Sequence, residues 1–455
     1  MEPRWSSSKA LWERACRSIG GGVASSVRGG VYPHQLYFES GKGAHLVDID
    51  GDRYIDYVLG WGPLLLGHGH PAILEAAHAQ LDRGIMFGGG NMHEVVAAER
   101  FLGALGWAER LLWTNTGTEA VQIALRLARA HTGRDIVVKL GGGYHGWHDT
   151  VLASYMGYGK GGEPVPHSLG QPASSLADLR VGLYNDLDNC ASAFEAEPGR
   201  IAAVLVDPTS SNTGSVAPEP GYLEGLRRLC DEHGALLIFD EVVSGLRLGL
   251  SGAAGRFGVT PDLATYGKAI GSGMAVAAVA GRGEVIDLVL QGAVHSGTFN
   301  GNPLAMTVLT ATLDVLSQPG CTTISTRWGR PWSRGCAWRR SRPGTWWPRT
   351  ISGPRRWSLR ECPGSPVRMT TPRPTGSTGA STSSRPCSST ASICCREGGC
   401  SCPPSTPWRM WTRRRKRSPT SSTRCRRLGS RGTATADLLG RAAARGFSRN
   451  REPLP

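Results

Sequence analysis

Apolar and polar positions along most of the chain follow the pattern of an α/β protein. Three runs, DIVVKL (135–140), IAAVLVDP (201–208) and ALLIFDE (235–241), are continuously apolar or β-branched, which is typical of strands buried in a parallel sheet. Residues 119–131, before the first run, and residues 221–234, between the second and third, have apolar residues at helical spacing. This alternation predicts a doubly wound, mostly parallel sheet, in which ligands bind at the carboxyl ends of the strands.

The N-terminal segment has a different pattern. Residues 8–19 have helical spacing, and residues 45–58 read as two short strands around a turn at Asp50 and Gly51. A chain of 455 residues also fits one large and one smaller domain better than a single core. We therefore predict an N-terminal part of a small domain (1–60), a large domain (61–305) and the start of a C-terminal small-domain segment (306–320).

Composition changes abruptly near residue 320. Residues 1–320 hold 23 Lys and Arg against 32 Asp and Glu, whereas residues 321–455 hold 28 against 4 and carry nine of the twelve cysteines. This second stretch has only ten Ile, Leu, Val and Phe residues, too few to offset the entropy of ordering it. It is therefore expected to be a basic, disordered tail, with RRRKR (413–417) as a candidate contact for nucleic acid.

Eight tryptophans and nine cysteines are unusual for a disordered tail, and a shifted reading frame would explain them. CTTISTRWG (321–329) can be back-translated so that the frame starting at the third base of each codon encodes Tyr-Asp-His-Leu-Asp-Ala-Leu-Gly, an acidic helical sequence. The hypothesis is that one nucleotide is lost near codon 320, which would leave the chain poorly folded or inactive. The Cys-rich segment 393–402 lacks the paired CxxC spacing of zinc sites, so no metal is expected there.

The beginning of the chain bears on where the protein works. No apolar run of a signal peptide or a membrane span follows the first charged residues. We therefore expect a cytoplasmic enzyme with no membrane partner.

Two charged residues are suited to holding a flat, electron-withdrawing cofactor. Lys268 lies in TYGKAIGSGM after the strand-like PDLAT, and a confined amine of lowered pKa can form a Schiff base, although a solvated loop lysine has the same local pattern. Asp240 ends an apolar strand, where a carboxylate needs a cation such as a protonated pyridine nitrogen. A helix N-cap or a metal ligand are the alternatives for Asp240.

The segment TNTGTEA runs from a strand end into a helix. Thr116, Gly117 and Thr118 would offer hydroxyl and backbone N–H groups to a phosphate at the helix N-terminus. An ordinary threonine cap with Glu119 in the first turn is the alternative.

The segment GGGYHGWHD follows another strand. It places Tyr144 and His145 at the strand's carboxyl end. An aromatic ring there can stack on a flat cofactor, or it can pack as an ordinary loop residue.

Seven segments in order resemble one family. They are GGVASSVR (21–28), GWGPLLLGHGHP (60–71), TNTGTEA, GGYHGWHD, DEVVSGLR (240–247), TYGKAIGSGM and HSGTFNGNP (295–303). Over roughly residues 10–320 the chain resembles the class III aminotransferases, pyridoxal-5'-phosphate enzymes of fold type I, and among them the glutamate-1-semialdehyde 2,1-aminomutase branch. The resemblance implies a large domain with a mostly parallel doubly wound sheet, and a small α+β domain whose C-terminal part is corrupted here.

The resemblance also assigns roles at the cofactor. Lys268 resembles the Schiff-base lysine that also moves the proton between substrate and cofactor, and Asp240 resembles the partner of the pyridinium nitrogen. Tyr144 and Val242 resemble the residues on the two faces of the ring. The cofactor-binding set is Thr116, Gly117, Thr118, Tyr144, His145, Asn212, Asp240, Val242 and Thr298.

Four of the matched positions concern groups around the ring. Asn212 resembles a residue near the cofactor's 3'-hydroxyl, and Thr298 resembles a phosphate ligand that comes from a second subunit, which implies a homodimer. Arg28 resembles the arginine that binds the substrate carboxylate, and Trp61 resembles a wall of the substrate pocket.

The predicted function is a pyridoxal-phosphate-dependent aminotransferase that moves an amino group between an amino acid and an oxo acid or aldehyde. The alternative is a glutamate-1-semialdehyde 2,1-aminomutase, from which the chain departs at Ser26, in residues 153–171 and at the Trp of YHGWHD. A second alternative is an inactive frameshifted product, or a basic protein whose tail binds nucleic acid. We expect a small-molecule amino or oxo acid partner and no nucleic acid.

Overall fold

The computed structural model describes residues 4–29, 34–155 and 163–321. The basic tail, its RRRKR run, the Cys-rich segment and the reading-frame hypothesis all concern residues outside this described part, apart from Cys321. Residues 156–162 of the segment that departs from the aminomutases also lie outside it.

The N-terminal segment forms a helix and a small antiparallel sheet, which includes the predicted hairpin. Asp48 fixes the hairpin turn, because its Oδ1 accepts the N–H groups of Asp50 and Asp52 at 3.0 and 2.8 Å. The Tyr54 hydroxyl donates to Asp48 Oδ2 at 2.7 Å, so this buried carboxylate is fully bonded. The elements are α1 (Ser6–Ser18), β1 (Phe38–Lys42), β2 (His45–Asp48) and β3 (Arg53–Ile55).

Seven strands form the central sheet, in the order β4-β10-β9-β8-β7-β5-β6. They are β4 (Arg110–Thr114), β5 (Ile136–Leu140), β6 (Leu179–Gly182), β7 (Ile201–Val206), β8 (Leu236–Glu241), β9 (Leu263–Tyr266) and β10 (Ala277–Gly281). Only β10 runs antiparallel to its neighbours, and the pairs from β9 to β6 are all parallel. Strands β5, β7 and β8 are buried at every position, as their apolar runs predict. The predicted mostly parallel sheet is thereby confirmed.

Helices cover both faces of this sheet. Alternate residues of β5 enter different core clusters, with Val138 in one and Val137 in the other, since successive side chains of a strand point to opposite faces. Helix α4 packs in the cluster of Val137, whereas α3, α6 and α9 pack in the cluster of Val138. The helices are α2 (Pro71–Leu81), α3 (Met92–Leu105), α4 (Gly117–Thr132), α5 (Leu187–Ala196), α6 (Tyr222–His233), α7 (Gly252–Phe257), α8 (Gly283–Ile286) and α9 (Pro303–Leu316).

Helix α9 crosses the predicted boundary at residue 305. Its buried residues Met306, Leu309 and Leu313 belong to the same core cluster as strands of the central sheet. Residues 306–316 therefore pack against the central sheet and its covering helices, because an apolar helix face buries most surface there. Across the described ranges, no helix combines the length and hydropathy that a membrane crossing requires.

Candidate active site

The segments that follow the parallel strands meet at the carboxyl edge of the sheet and enclose a cavity of about 370 Å³. This volume lies in the range of small-molecule sites. Of the twelve residues that the sequence singles out, Arg28 and Thr298 do not line the cavity. The other ten do: Trp61, Thr116, Gly117, Thr118, Tyr144, His145, Asn212, Asp240, Val242 and Lys268.

Asp240 lies at the end of β8 and is buried. His145 Nδ1 lies 2.6 Å from Asp240 Oδ2, and Oδ1 accepts the Thr265 hydroxyl at 3.0 Å and the Val242 N–H at 3.1 Å. Burial alone would raise the pKa of Asp240, but the hydrogen bond and charge of His145 outweigh it and the pKa is lowered. Asp240 is therefore held as a carboxylate beside the cavity.

The two alternatives for Asp240 fit the geometry less well. Among the described residues, the one backbone group that bonds its carboxylate is the Val242 N–H in the turn after the strand, so it caps no described helix. In the described part of the chain, no group of three His, Cys, Asp or Glu residues is placed to hold a metal ion. A cationic ring nitrogen remains the partner that its charge and position suit.

Lys268 opens a 3-10 turn (Lys268–Gly271) directly after β9 and has a left-handed backbone, with φ 46°. Burial lowers the pKa of its amine, and the charge of Arg247 adds to this effect, whereas Asp240 opposes it. A lysine whose amine is partly neutral can act as a nucleophile. Lys268 therefore lies at the cavity, and the alternative of a solvated loop lysine does not hold.

The start of α4 combines both sequence interpretations. Thr116 is the N-cap, since its hydroxyl accepts the Glu119 N–H at 3.2 Å and Glu119 Oε2 accepts the Thr116 N–H at 2.9 Å. The N–H groups of Gly117 and Thr118, in the first turn, have no acceptor within the helix and remain available to an anion at the cavity. A Cβ on Gly117 would lie 2.9 Å from Val242 Cγ2, so only glycine fits this approach.

The loop after β5 carries Tyr144 and His145, and hydrogen bonds from a buried lysine hold it in place. Lys139 Nζ donates to the carbonyl oxygens of Gly143, Val151 and Ala153 at 2.8, 3.2 and 2.5 Å. Burial lowers the pKa of Lys139 to about 7, although the charge of Asp240 opposes the shift. The Tyr144 ring lies 5.2 Å, centroid to centroid, from the next loop aromatic, Tyr155.

Three residues near the cavity were missed by the sequence reasoning. Asp207 follows β7, lines the cavity and accepts the N–H groups of Thr209 and Ser211 at 3.0 and 2.9 Å. Asp207 ends an apolar run just as Asp240 does, and this shared position could have identified Asp207 as a site residue from the sequence. Lys139 and Arg247 bind backbone carbonyls, which no sequence pattern reveals.

The two predicted residues outside the cavity are both exposed. Arg28 ends a 3-10 turn (Ser26–Arg28), and its carbonyl accepts the side-chain amide of Gln35. Thr298 lies in the loop before α9, which is anchored to the cavity rim where the Asn115 amide donates to Asn300 Oδ1 at 2.8 Å. The structure does not bring either side chain to the cavity of its own chain.

The cavity suits pyridoxal phosphate. A flat ring with a basic nitrogen, an aldehyde and a phosphate needs a carboxylate, an amine and a set of N–H donors. Asp240, Lys268 and the first turn of α4 supply these groups, and glycine at position 117 lets this turn lie close to Val242.

Comparison with known proteins agrees with this geometry. The sequence model of the family described as "Aminotransferase class-III" matches residues 27–333. The chain belongs to this family. A glutamate-1-semialdehyde 2,1-aminomutase of Roseiflexus castenholzii is 46% identical over 317 residues, which cover 69% of this chain and 73% of that protein.

Solved structures of transaminases have the same fold. An omega-transaminase from Sphaerobacter thermophilus superposes with a TM-score of 0.66 at 36% identity, covering 70% of this chain and 74% of its own. A transaminase with PLP bound also has a TM-score of 0.66, at 34% identity, over 69% and 74% of the two chains. The predictions of the family, of fold type I, of a pyridoxal-phosphate cofactor and of amino-group transfer are confirmed.

Proposed function

We propose that this class III enzyme is a transaminase that moves an amino group between an amino acid and an oxo acid or aldehyde, with Lys268 as the residue that binds the cofactor covalently. The observation that carries the proposal is the meeting of three features at one cavity: Lys268, the Asp240–His145 pair and the first turn of α4. When bound, pyridoxal phosphate draws electrons from the substrate carbon and carries the amino group between the two substrates.

The proposed roles follow from where each side chain lies. Asp240, kept ionised by His145, holds a proton on the ring nitrogen. Lys268 Nζ accepts and returns the proton of the substrate carbon, because burial lowers the pKa of its amine and so favours the neutral form that can accept a proton. Tyr144 and Val242, which line the cavity, would hold the two ring faces, and Asn212 would lie near the 3'-hydroxyl.

The phosphate is proposed to bind at the N-terminus of α4. The N–H groups of Gly117 and Thr118 donate to it. Thr116 Oγ1 accepts the Glu119 N–H, so its hydroxyl proton stays free to donate as well.

A homodimer is part of this proposal. Thr298 is exposed and does not line the cavity of its own chain, which supports a role in the cavity of a second copy. The anchored loop that carries it would then be a fixed element of the dimer face. Sedimentation of the purified protein tests the homodimer. A protein that sediments as a monomer and still binds the cofactor tightly would contradict it.

The aminomutase is the second candidate, and the 46% identity to a protein of that name favours it. The position of Arg28 outside the cavity and the Trp of YHGWHD, at which the chain departs from the aminomutases, favour the transaminase. An assay with glutamate-1-semialdehyde and no added amino donor separates the two. Product formation would show a mutase, whereas dependence on a separate donor and acceptor would show a transaminase.

We also propose that the reading frame shifts near codon 320. The match to the family model ends at residue 333, close to the change in composition near residue 320. Sequencing the gene tests this directly. A downstream frame that encodes the acidic helix described above supports the proposal, and a gene with no better frame there rules it out.

A further inference from the structure

Four consecutive residues beside the cavity have left-handed backbones. They form the left-handed turn (residues 59–62), with φ of 54° at Leu59, 62° at Gly60, 69° at Trp61 and 104° at Gly62. Leucine and tryptophan disfavour this region because of their Cβ atoms, so such a turn persists only where its surroundings hold it. Internal hydrogen bonds supply part of this support, from the Gly62 N–H to the carbonyl of Val58 at 3.1 Å and from the Leu64 N–H to that of Leu59 at 3.1 Å.

Arg247 supplies an external contact to the turn. Its Nη2 donates to the Gly62 carbonyl, and its Nη1 donates to the Val243 carbonyl at 2.7 Å. Burial lowers the pKa of its guanidinium. Among the residues that the structure describes, no carboxylate forms an ion pair with Arg247, so this half-buried cation is directed at two neutral oxygens.

Gly62 is enclosed between Arg247 and Lys268. A Cβ on Gly62 would lie 3.0 Å from Lys268 Cδ and 3.3 Å from Arg247 Nη2. The turn, the guanidinium and the proposed cofactor-binding lysine therefore form one contact group. Trp61, in the same turn, lines the cavity.

We propose that Arg247 is a positioning residue of the active site: by bridging the carbonyls of Gly62 and Val243, it holds the left-handed turn in the conformation that sets Trp61 on the cavity wall and Gly62 against Lys268. Its catalytic consequence rests on the proposed role of Lys268. The bridge itself does not depend on that role.

A direct role for Arg247 in binding a substrate carboxylate fits the structure less well. Both Nη atoms are already used on backbone oxygens, and Arg247 is not among the residues that line the cavity. The bridge joins the turn to the segment after β8, so it links two walls of the site.

The chain contains a matched control. Arg134 is also half-buried and also bridges two carbonyls, those of Ile201 at 3.0 Å and His233 at 2.7 Å. These lie where β7 begins and where α6 ends, at the sheet edge away from the cavity. Comparing Arg247→Gln with Arg134→Gln therefore separates the loss of any such bridge from the loss of this one.

Hydrogen exchange of the cofactor-free full chain, followed by mass spectrometry, tests the bridge without any activity measurement. We expect Arg247→Gln to speed exchange of the Gly62 and Leu64 amides by about tenfold, as loss of a charge-assisted hydrogen bond allows. Arg134→Gln should leave these amides unchanged. Unchanged exchange at Gly62 and Leu64 in Arg247→Gln overturns the proposal.

Two further measurements keep the test decisive. If Arg247→Gln does not fold, Arg247→Lys keeps the charge but loses the two-pronged geometry, and exchange equal to wild type would again overturn the proposal. In the cofactor-loaded enzyme, Arg247→Gln should shift the pH dependence of the cofactor absorbance towards higher pH, since a positive charge beside Lys268 is removed, and Arg134→Gln should not. A wild-type protein that takes up no cofactor would refute the proposed function while leaving the exchange result interpretable.

Discussion

Lys139→Met is the substitution whose effect the structure specifies most fully. The side chain of Lys139 is completely buried in β5, and its ammonium is bonded to three carbonyls of the loop that carries Tyr144 and His145. Methionine has a similar length but no charge and no donor. The substitution therefore removes the buried charge and leaves three carbonyl oxygens without this partner.

Two effects of this substitution oppose each other. Burial lowers the pKa of Lys139 from 10.5 to about 7, which corresponds to about 5 kcal/mol of destabilisation of the folded state when the lysine is protonated. Removing the lysine relieves this cost but forfeits three hydrogen bonds to a charged donor, each worth about 1.5–3 kcal/mol. Because the gain and the loss are of similar size, the pH dependence is more informative than the net effect at one pH.

The direction of the pH dependence follows from proton binding. Between pH 7 and 10.5 the unfolded chain holds the proton on Lys139 and the folded chain releases it, so raising the pH favours the folded state. We expect the free energy of unfolding of wild type to rise by about 2 kcal/mol relative to Lys139→Met between pH 7 and 9. Urea unfolding at several pH values measures this difference, with the exposed Lys42→Met as the control for loss of a positive charge. A difference that stays constant over this range would refute the idea that Lys139 carries a buried, titrating ammonium.

Three further substitutions probe the site. Asp240→Asn should lower turnover by about 100-fold or more, because the ring nitrogen loses its anionic partner, and steady-state kinetics with the cofactor spectrum measure it. Gly117→Val should cost about 1–3 kcal/mol in urea unfolding, since its Cβ would lie 2.9 Å from Val242 Cγ2, whereas Gly103→Ala in α3, with open space around it, should be neutral or stabilising. His145→Leu should raise the pKa of Asp240, because the hydrogen bond that opposes the effect of burial is lost. As the pH is lowered, cofactor affinity should therefore decline at a higher pH in His145→Leu than in wild type. The same pH dependence of cofactor affinity in His145→Leu and in wild type would contradict the idea that His145 lowers the pKa of Asp240.

Much of the sheet could be predicted from the sequence because buried parallel strands are apolar on both faces. The runs that became β5, β7 and β8 needed no partner information to be recognised. Strand β10 is different: its AAVAG sequence is short and small, and its antiparallel insertion between β4 and β9 depends on pairings made far along the chain. Strand order of this kind is determined by contacts between distant residues and cannot be deduced from local sequence patterns.

The candidate site divides in the same way. Lys268, Asp240 and Gly117 stand at strand or helix ends, so their convergence follows from the topology of a parallel sheet. Lys139 and Arg247 could not be predicted, because their partners are backbone oxygens, which any residue type supplies. The left-handed turn could not be predicted either, since neither leucine nor tryptophan indicates a positive φ in a sequence.

Borohydride reduction of the cofactor-loaded full chain, followed by peptide mapping, tests the central claim about Lys268 most directly. The chain has six lysines, so the modified residue can be assigned without ambiguity. We predict that the visible absorption band disappears on reduction and that the pyridoxyl label is found at Lys268 alone. A label at Lys139 or at any other lysine, or a folded protein that takes up no cofactor, would contradict the account.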